Sequence, residues 1–333
     1  MKREAKFWET LDGKIKCTLC PHHCILKEGA RGICGVRENS GGTLYTLIYG
    51  SCTSAHPDPV EKKPLYHFYP GSTVYSMGTV GCNFRCLHCQ NYTISQANPD
   101  DYPLMEIMPE EAVRKAEACS TGIAFTYNEP TIWMEYTLDT ARLAKKHHLH
   151  TIFVTNGYIN EEPLDAMARH LDAANIDVKS MDDRFYREVC GARVEPVLEA
   201  CKRYKKKGVH IELTYLVIPS KNDSADDITA FCRWARDELG EHQIIHFTAF
   251  YPHYQMNHLP PTSLIKLMEA YAIAKKEGLH YVYLGNVPHG DYENTYCHHC
   301  GHLLIKRHGF SAEIVGMRGP TCAKCGTEIP VVV

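Results

Sequence analysis

Val74-Tyr-Ser-Met-Gly-Thr-Val-Gly81-Cys82-Asn-Phe-Arg-Cys86-Leu-His-Cys89 begins as an apolar, β-rich run and ends in three closely spaced cysteines. The first part reads as a buried strand, Val74–Val80, and the cysteines as the loop that follows it. The same pattern then recurs along the chain. Short β-rich runs stand at Ile123–Thr126, Thr151–Thr155, Ile176–Val178, His210–Val217, Ile244–Ala249 and Tyr281–Leu284, with helix-like segments between most of them. Pro109-Glu110-Glu111 opens one helix, its proline and acids placed where a first turn favours them. Glu135–His148 and Leu264–Lys276 are amphipathic, and the second stops at Gly278. Alternation of this kind implies parallel strands joined by right-handed crossovers. Six or seven such units are too few to close an eight-unit barrel, which leaves a partial barrel or an open α/β sheet.

Polar motifs follow these strands in turn. Cys82 comes after the first, Tyr127-Asn128-Glu129 after the second and Asn156-Gly157 after the third. Asp177 and Lys179 close the fourth, Asn222 and Asp223 follow the fifth, and Tyr251 the sixth. Active sites of parallel α/β folds are built at the carboxyl ends of the strands, so these residues are expected on one face.

The flanks differ in composition. Residues 1–66 are cysteine-rich and contain one β-like run, Thr43 to Tyr49; residues 67–285 form the alternating core; residues 286–333 carry two further CxxC pairs. The chain has 333 residues, 44% hydrophobic and 23% charged, with a formal net charge of −3. That near-neutral balance gives no bulk attraction to nucleic acid or to an anionic membrane, and neither partner is expected. The charged N-terminus lacks an apolar signal region and no apolar run is long enough to span a bilayer, so a cytoplasmic protein is expected.

Sixteen cysteines in short clusters, without an export signal, point to metal thiolates and away from disulfides. The Cys-x3-Cys-x2-Cys triad at 82, 86 and 89 suits an iron–sulfur cluster. Four-iron clusters usually take four cysteines; three leave one iron open, where S-adenosylmethionine (SAM) can chelate and be cleaved by one electron. Cys119 sits in a predicted helix and is a poor fourth ligand. Cys297-x2-Cys300 and Cys322-x2-Cys325 match a zinc ribbon, although a single iron or an auxiliary cluster would use the same ligands. Cys17-x2-Cys20-x3-Cys24-x9-Cys34 argues for another metal, zinc or a second cluster, with His22 or His23 able to replace a thiolate. Cys52, Cys119, Cys190, Cys201 and Cys232 read as buried small hydrophobes.

With these motifs assembled, the chain resembles the radical SAM superfamily. More narrowly, it is similar to the radical SAM component of the AmmeMemoRadiSam system, related to the pyruvate formate-lyase activating enzymes. Ser76 through Asn91 carries the likeness, together with Cys17-Thr-Leu-Cys20-Pro-His-His-Cys24, Glu61-Lys-Lys-Pro-Leu-Tyr-His67, Ala124-Phe-Thr-Tyr-Asn-Glu-Pro130, Val154-Thr-Asn-Gly157, Cys190-Gly-Ala-Arg193 and Asn294-Thr-Tyr-Cys297. The resemblance implies a partial (β/α)6 TIM-like barrel, a 4Fe–4S cluster and SAM. It places Tyr127, Asn128 and Glu129 where the family's Gly-Gly-Glu motif meets the SAM amino group. Thr155, Asn156, Asp177 and Lys179 match positions lining the SAM and substrate side. It also implies reduced ferredoxin or flavodoxin as electron donor and Memo-like and AMMECR-like partner proteins. His88 stands where many members carry an aromatic residue, and Val154 where activating enzymes often carry Asp. The expected function is reductive cleavage of SAM to a 5′-deoxyadenosyl radical that abstracts hydrogen from an unidentified substrate. A glycyl radical enzyme activase is the alternative within that class, and a non-enzymatic electron carrier or zinc scaffold the alternative outside it.

Overall fold

The computed structural model describes residues 1–287 and 290–333; Pro288 and His289, inside the predicted C-terminal region, lie outside the described residues. Among the described residues the main sheet has eight strands, in spatial order the same as chain order. They are β1 (Ser54–Pro59), β2 (Thr73–Gly78), β3 (Gly122–Phe125), β4 (His150–Thr155), β5 (Ala173–Asp177), β6 (His210–Val217), β7 (Ile244–Ala249) and β8 (Tyr281–Gly285). Only β1 runs antiparallel to its neighbour β2; all the other pairs are parallel. β1 and β8 do not pair, so the barrel stays open. Strands such as Gly122–Phe125 and Ile244–Ala249 are buried throughout, as parallel strands covered on both faces must be.

Six crossover helices among the described residues cover the outer face: α1 (Pro109–Cys119), α2 (Met134–Lys146), α3 (Glu161–Ala168), α4 (Glu195–Lys206), α5 (Ala225–Leu239) and α6 (Leu264–Lys276). Their ends are written locally. Ser224 and Ser263 cap α5 and α6, each hydroxyl accepting from the backbone N–H three residues on, at 3.1 and 3.2 Å. α2 stops two residues earlier than its amphipathic pattern, because His148 turns into the left-handed region at φ 56°.

The base of the open barrel, at the amino ends of the strands, is plugged by the chain itself. Glu212, fully buried on β6, accepts from the backbone N–H of Tyr66 and His67 at 2.9 and 2.7 Å, and meets His246 Nε2 at 2.6 Å and His210 Nε2 at 3.0 Å. His67 faces the Pro330 carbonyl with Nδ1 at 3.0 Å, so that nitrogen donates, and Nε2 accepts from the Tyr283 hydroxyl at 2.6 Å. Burial pushes its pKa down to about 3, which keeps the ring neutral. The C-terminal tail closes over this point: Val332 N–H donates to the His67 carbonyl and Tyr69 N–H to the Val332 carbonyl. His246 thus proves to be a satisfied core histidine.

Burial alone would raise the Glu212 pKa, but the hydrogen bonds from His210 and His246 outweigh it and hold the carboxylate well below its ordinary range. A depressed carboxylate contributes stability that is present above its unfolded pKa and lost as pH falls below it. Glu212→Gln is therefore expected to cost about 3 kcal/mol at pH 7 and to flatten the acid limb below about pH 4.5. Urea unfolding of both proteins at pH 7 and pH 4 reads the two effects.

Candidate active site

The carboxyl ends of the strands surround a cavity of about 330 Å³. Cys82, Cys86 and Cys89 line it, and so do all seven positions expected to face SAM or substrate: Tyr127, Asn128, Glu129, Thr155, Asn156, Asp177 and Lys179. Each of these residues sits within a few positions of a parallel strand's last residue, whereas Asn222, Asp223 and Tyr251 are not among the lining residues. Asn222 and Tyr251 serve as braces. The Asn222 side chain accepts from Ile218 N–H at 2.6 Å and donates to the Lys179 and Leu216 carbonyls at 2.7 and 2.9 Å. The Tyr251 hydroxyl donates to the Asn286 carbonyl at 2.9 Å.

The cysteine loop is clamped from several sides. Phe84 N–H points at the Cys82 sulfur at 3.3 Å, and Ser95 Oγ lies 3.2 Å from the Cys89 sulfur. Arg85 and Leu87 N–H donate to the Cys190 and Val189 carbonyls at 2.8 and 2.9 Å, tying the loop to a single π turn, Tyr186–Cys190. The Cys190 thiol lies beside Cys86 and acts to lower its pKa. Cys190 is buried, as the sequence suggests, but it also touches the triad, a contact that no local spacing signals.

The Tyr127–Glu129 segment is committed to the protein through its side chains. Asn128 accepts from Thr79 N–H at 3.1 Å and donates to the Gly81 carbonyl at 2.9 Å, gripping the start of the cysteine loop. Glu129 accepts from Thr131 N–H, Thr155 Oγ and Asn156 N–H at 2.9, 2.7 and 2.8 Å, which welds the ends of β3 and β4. Burial raises its pKa against these hydrogen bonds. Tyr127 takes the left-handed region at φ 75°, where the related motif has glycine, and its hydroxyl bonds to Asp58 and lies 3.2 Å from His56 Nε2. A non-glycine residue held there stores of the order of 1–2 kcal/mol of strain.

The opposite wall carries a charge pair. Lys179 Nζ sits 2.9 Å from Asp177 Oδ2. Burial acts to lower the Lys179 pKa, but Asp177 and the thiols of Cys86 and Cys190 outweigh it, so the ammonium is retained. Asn175 and Thr214 join that wall through a 2.8 Å hydrogen bond, and Asn175 also donates to the Pro64 carbonyl at 2.8 Å. Lys62 and Pro64 line the cavity while Tyr66 and His67 reach Glu212, so this segment runs from the site to the base of the barrel. Lys62 and Lys63 both pair with Asp58, at 2.8 and 2.7 Å. The sequence offered no signal for Asn175 or Thr214, which are interior residues of their strands.

Away from this cavity, Cys297 lies 3.6 Å from Cys325 and Cys300 3.7 Å from Cys322, sulfur to sulfur. These four thiols are free and mutually within 4.8 Å. His242, His280 and His298 also bring donor atoms within 4.8 Å of one another, a grouping drawn from three distant parts of the chain and invisible in sequence. No helix among the described residues is long and apolar enough to cross a membrane.

Comparison with known proteins bears on the same region. The radical SAM superfamily matches residues 77–235. An uncharacterized protein of Methanocaldococcus jannaschii is 48% identical over 334 residues, covering 99% of each chain. The pyruvate formate-lyase 1-activating enzyme of Escherichia coli K12 is 25% identical over 181 residues, which cover 49% of this chain and 74% of that one. A radical SAM methyltransferase of Sphaerobacter thermophilus has the same fold with a TM-score of 0.50 at 16% identity, covering 71% of each chain. The match over residues 77–235 and the homology to an activating enzyme have one meaning: this chain carries a radical SAM domain, belongs to the radical SAM superfamily and is homologous to the pyruvate formate-lyase activating enzymes.

Proposed function

We propose that Cys82, Cys86 and Cys89 hold the cluster within the strand-end cavity, that SAM lies across the Tyr127–Glu129 and Thr155–Asn156 edge, and that the substrate meets the Asp177–Lys179 wall. The observation that carries this reading is the convergence of all ten residues on one cavity. The residues fit such ligands. Three thiols face the cavity, and His88, which is buried among them, has an Nδ1 without a protein partner. Once bound, the cluster supplies the electron for reductive cleavage of SAM.

The chain's own groups do the positioning. Asn128 and Glu129 fix the cysteine loop and the two neighbouring strand ends, so their contribution to SAM binding is to hold backbone in place. Lys179 keeps a positive charge opposite the thiolates, offsetting their negative charge in a low-dielectric pocket. Burial pushes the His88 pKa down to about 3. The ring is therefore neutral, and it forms part of the cavity wall beside the cysteines that the adenine or ribose of SAM would meet. His88→Ala is expected to weaken SAM binding about tenfold, read as the SAM concentration needed to perturb the reduced cluster's EPR spectrum. An unchanged titration would remove His88 from the binding site.

Homology to activating enzymes favours a second reading, activation of a glycyl radical enzyme. Val154 on the cavity wall, where activating enzymes often carry Asp, weighs against it. A low-potential one-electron donor, reduced ferredoxin or flavodoxin, would serve either reaction in the cytoplasm, and Memo-like and AMMECR-like proteins are the partners we would seek.

For Cys297, Cys300, Cys322 and Cys325 we propose structural zinc. Thiolates held about 2.3 Å from one tetrahedral ion stand about 3.8 Å apart, close to the separations of 3.6 and 3.7 Å. This unit presses on the barrel base through Arg307, whose guanidinium sits over the Tyr66 ring at 4.3 Å. Cys300→Ala is expected to abolish about one zinc per chain and to lower the Tm by about 5 °C, measured by elemental analysis and calorimetry.

A further inference from the structure

The N-terminal cysteines are left over from the function described so far. A hairpin, Trp8–Leu11 and Lys14–Cys17, delivers Cys17, and Cys17 N–H donates to the Cys24 carbonyl at 2.9 Å. The turn between them carries Cys20, and a second turn brings Cys34 back. The four cysteines wall one cavity, with the aliphatic side chains of Leu19, Leu26, Ile33 and Ile132 and the polar ones of His22, Arg37 and Asn83 beside them. Gly32 borders the space: a Cβ there would make ordinary contacts, 3.6 Å from the Cys24 sulfur and 3.8 Å from that of Cys34. Arg37, fully buried on the same wall, donates to the Cys17 sulfur at 3.4 Å, and its Nε has no partner in the protein.

The spread of the sulfurs decides between metals. Among the described residues, two groups bring their donor atoms within 4.8 Å of one another, the C-terminal four thiols and the histidine trio. The N-terminal four are not such a group, and neither is the Cys82, Cys86 and Cys89 set. A single tetrahedral ion draws its thiolates together, whereas a four-iron cube takes one cysteine at each corner and holds them apart around a volume. The N-terminal set thus lacks the close grouping of the ribbon, as the cluster triad also does.

The two cavities are neighbours. Asn83 lines the N-terminal one, while Cys82 and Phe84 on either side of it line the SAM cavity. A Cβ on Gly81 would fall 2.7 Å from the Cys34 carbonyl oxygen, and His22 Nε2 lies 2.7 Å from the Asn83 carbonyl. One thickness of backbone separates them. We propose that Cys17, Cys20, Cys24 and Cys34 hold a second iron–sulfur cluster of the four-iron class. Ligated at every corner, it has no open iron for SAM; it is suited to exchanging single electrons beside the cluster that binds SAM. The site itself goes beyond the SAM reading and does not depend on it; its electron-exchange role rests on that reading.

The test uses the full chain, reconstituted anaerobically with iron and sulfide, and a variant carrying Cys82→Ala, Cys86→Ala and Cys89→Ala together. We expect about eight iron atoms per chain in the parent and about four iron and four sulfide in the triple variant. The variant's remaining cluster should give a reduced EPR signal that SAM does not perturb. Adding Cys20→Ser and Cys24→Ser should remove that remaining iron. A triple variant without iron, or one holding a second zinc per chain in place of iron, would overturn the proposal. Because the triple variant leaves the N-terminal residues untouched, misfolding of the Cys20 and Cys24 substitutions cannot mask that result. Failure of the SAM reading would appear separately, as an absence of SAM cleavage by the parent.

Discussion

Replacing Cys86 with Ala is expected to reduce 5′-deoxyadenosine formation by at least about a thousandfold, because the cofactor carries the chemistry and no other residue replaces it. Cys86 is buried and faces the cavity between the other two triad cysteines. Iron content should fall by about four atoms per chain, while zinc at the C-terminal cysteines should not change. Cys190 supplies the control. Its thiol lies beside Cys86 but does not line the cavity, so Cys190→Ala should retain both the cluster and most of the activity. Loss of zinc in step with iron in the Cys86 variant would assign the triad to the wrong metal.

The second large effect is expected at Glu129. Its carboxylate receives three hydrogen bonds, two from backbone and one from Thr155, in a fully buried setting. Glu129→Ala would leave those donors unpaired and open a void between the ends of β3 and β4, at a cost of about 3–5 kcal/mol. Because Asn156 also donates to Asn83 at 2.8 Å, within the cysteine loop, the disturbance reaches the triad. The expected result is a protein several kilocalories less stable to urea, with SAM affinity lowered about a hundredfold. A variant that loses stability but binds SAM normally would show that the brace acts on the fold alone.

The strands of the core were legible because parallel strands buried on both faces leave continuous apolar runs. His210–Val217, Ile244–Ala249 and Leu264–Lys276 have in the structure the bounds their patterns predict. Ser54–Pro59 was not legible. It contains two prolines and few apolar residues, which only an antiparallel edge strand tolerates. The lining of the cavity was readable wherever a polar residue or cysteine follows a strand end, as for Cys82, Glu129, Asn156 and Asp177. It was unreadable where residues meet over long range, as for Cys190 beside Cys86, or Pro64 brought to the strand ends by a segment that plugs the barrel. The left-handed backbone of Tyr127 was also hidden, since the tyrosine stands in a glycine position and is held there by Asp58, 69 residues away in sequence.

The central claim is that the strand-end cavity cleaves SAM by one-electron reduction. Its most direct test is to incubate the anaerobically reconstituted, fully iron-loaded protein with SAM and to measure 5′-deoxyadenosine and methionine with and without dithionite. Equal amounts of the two products, formed only when the protein is reduced, are the expected result. A loaded and reduced protein that forms neither would contradict the account.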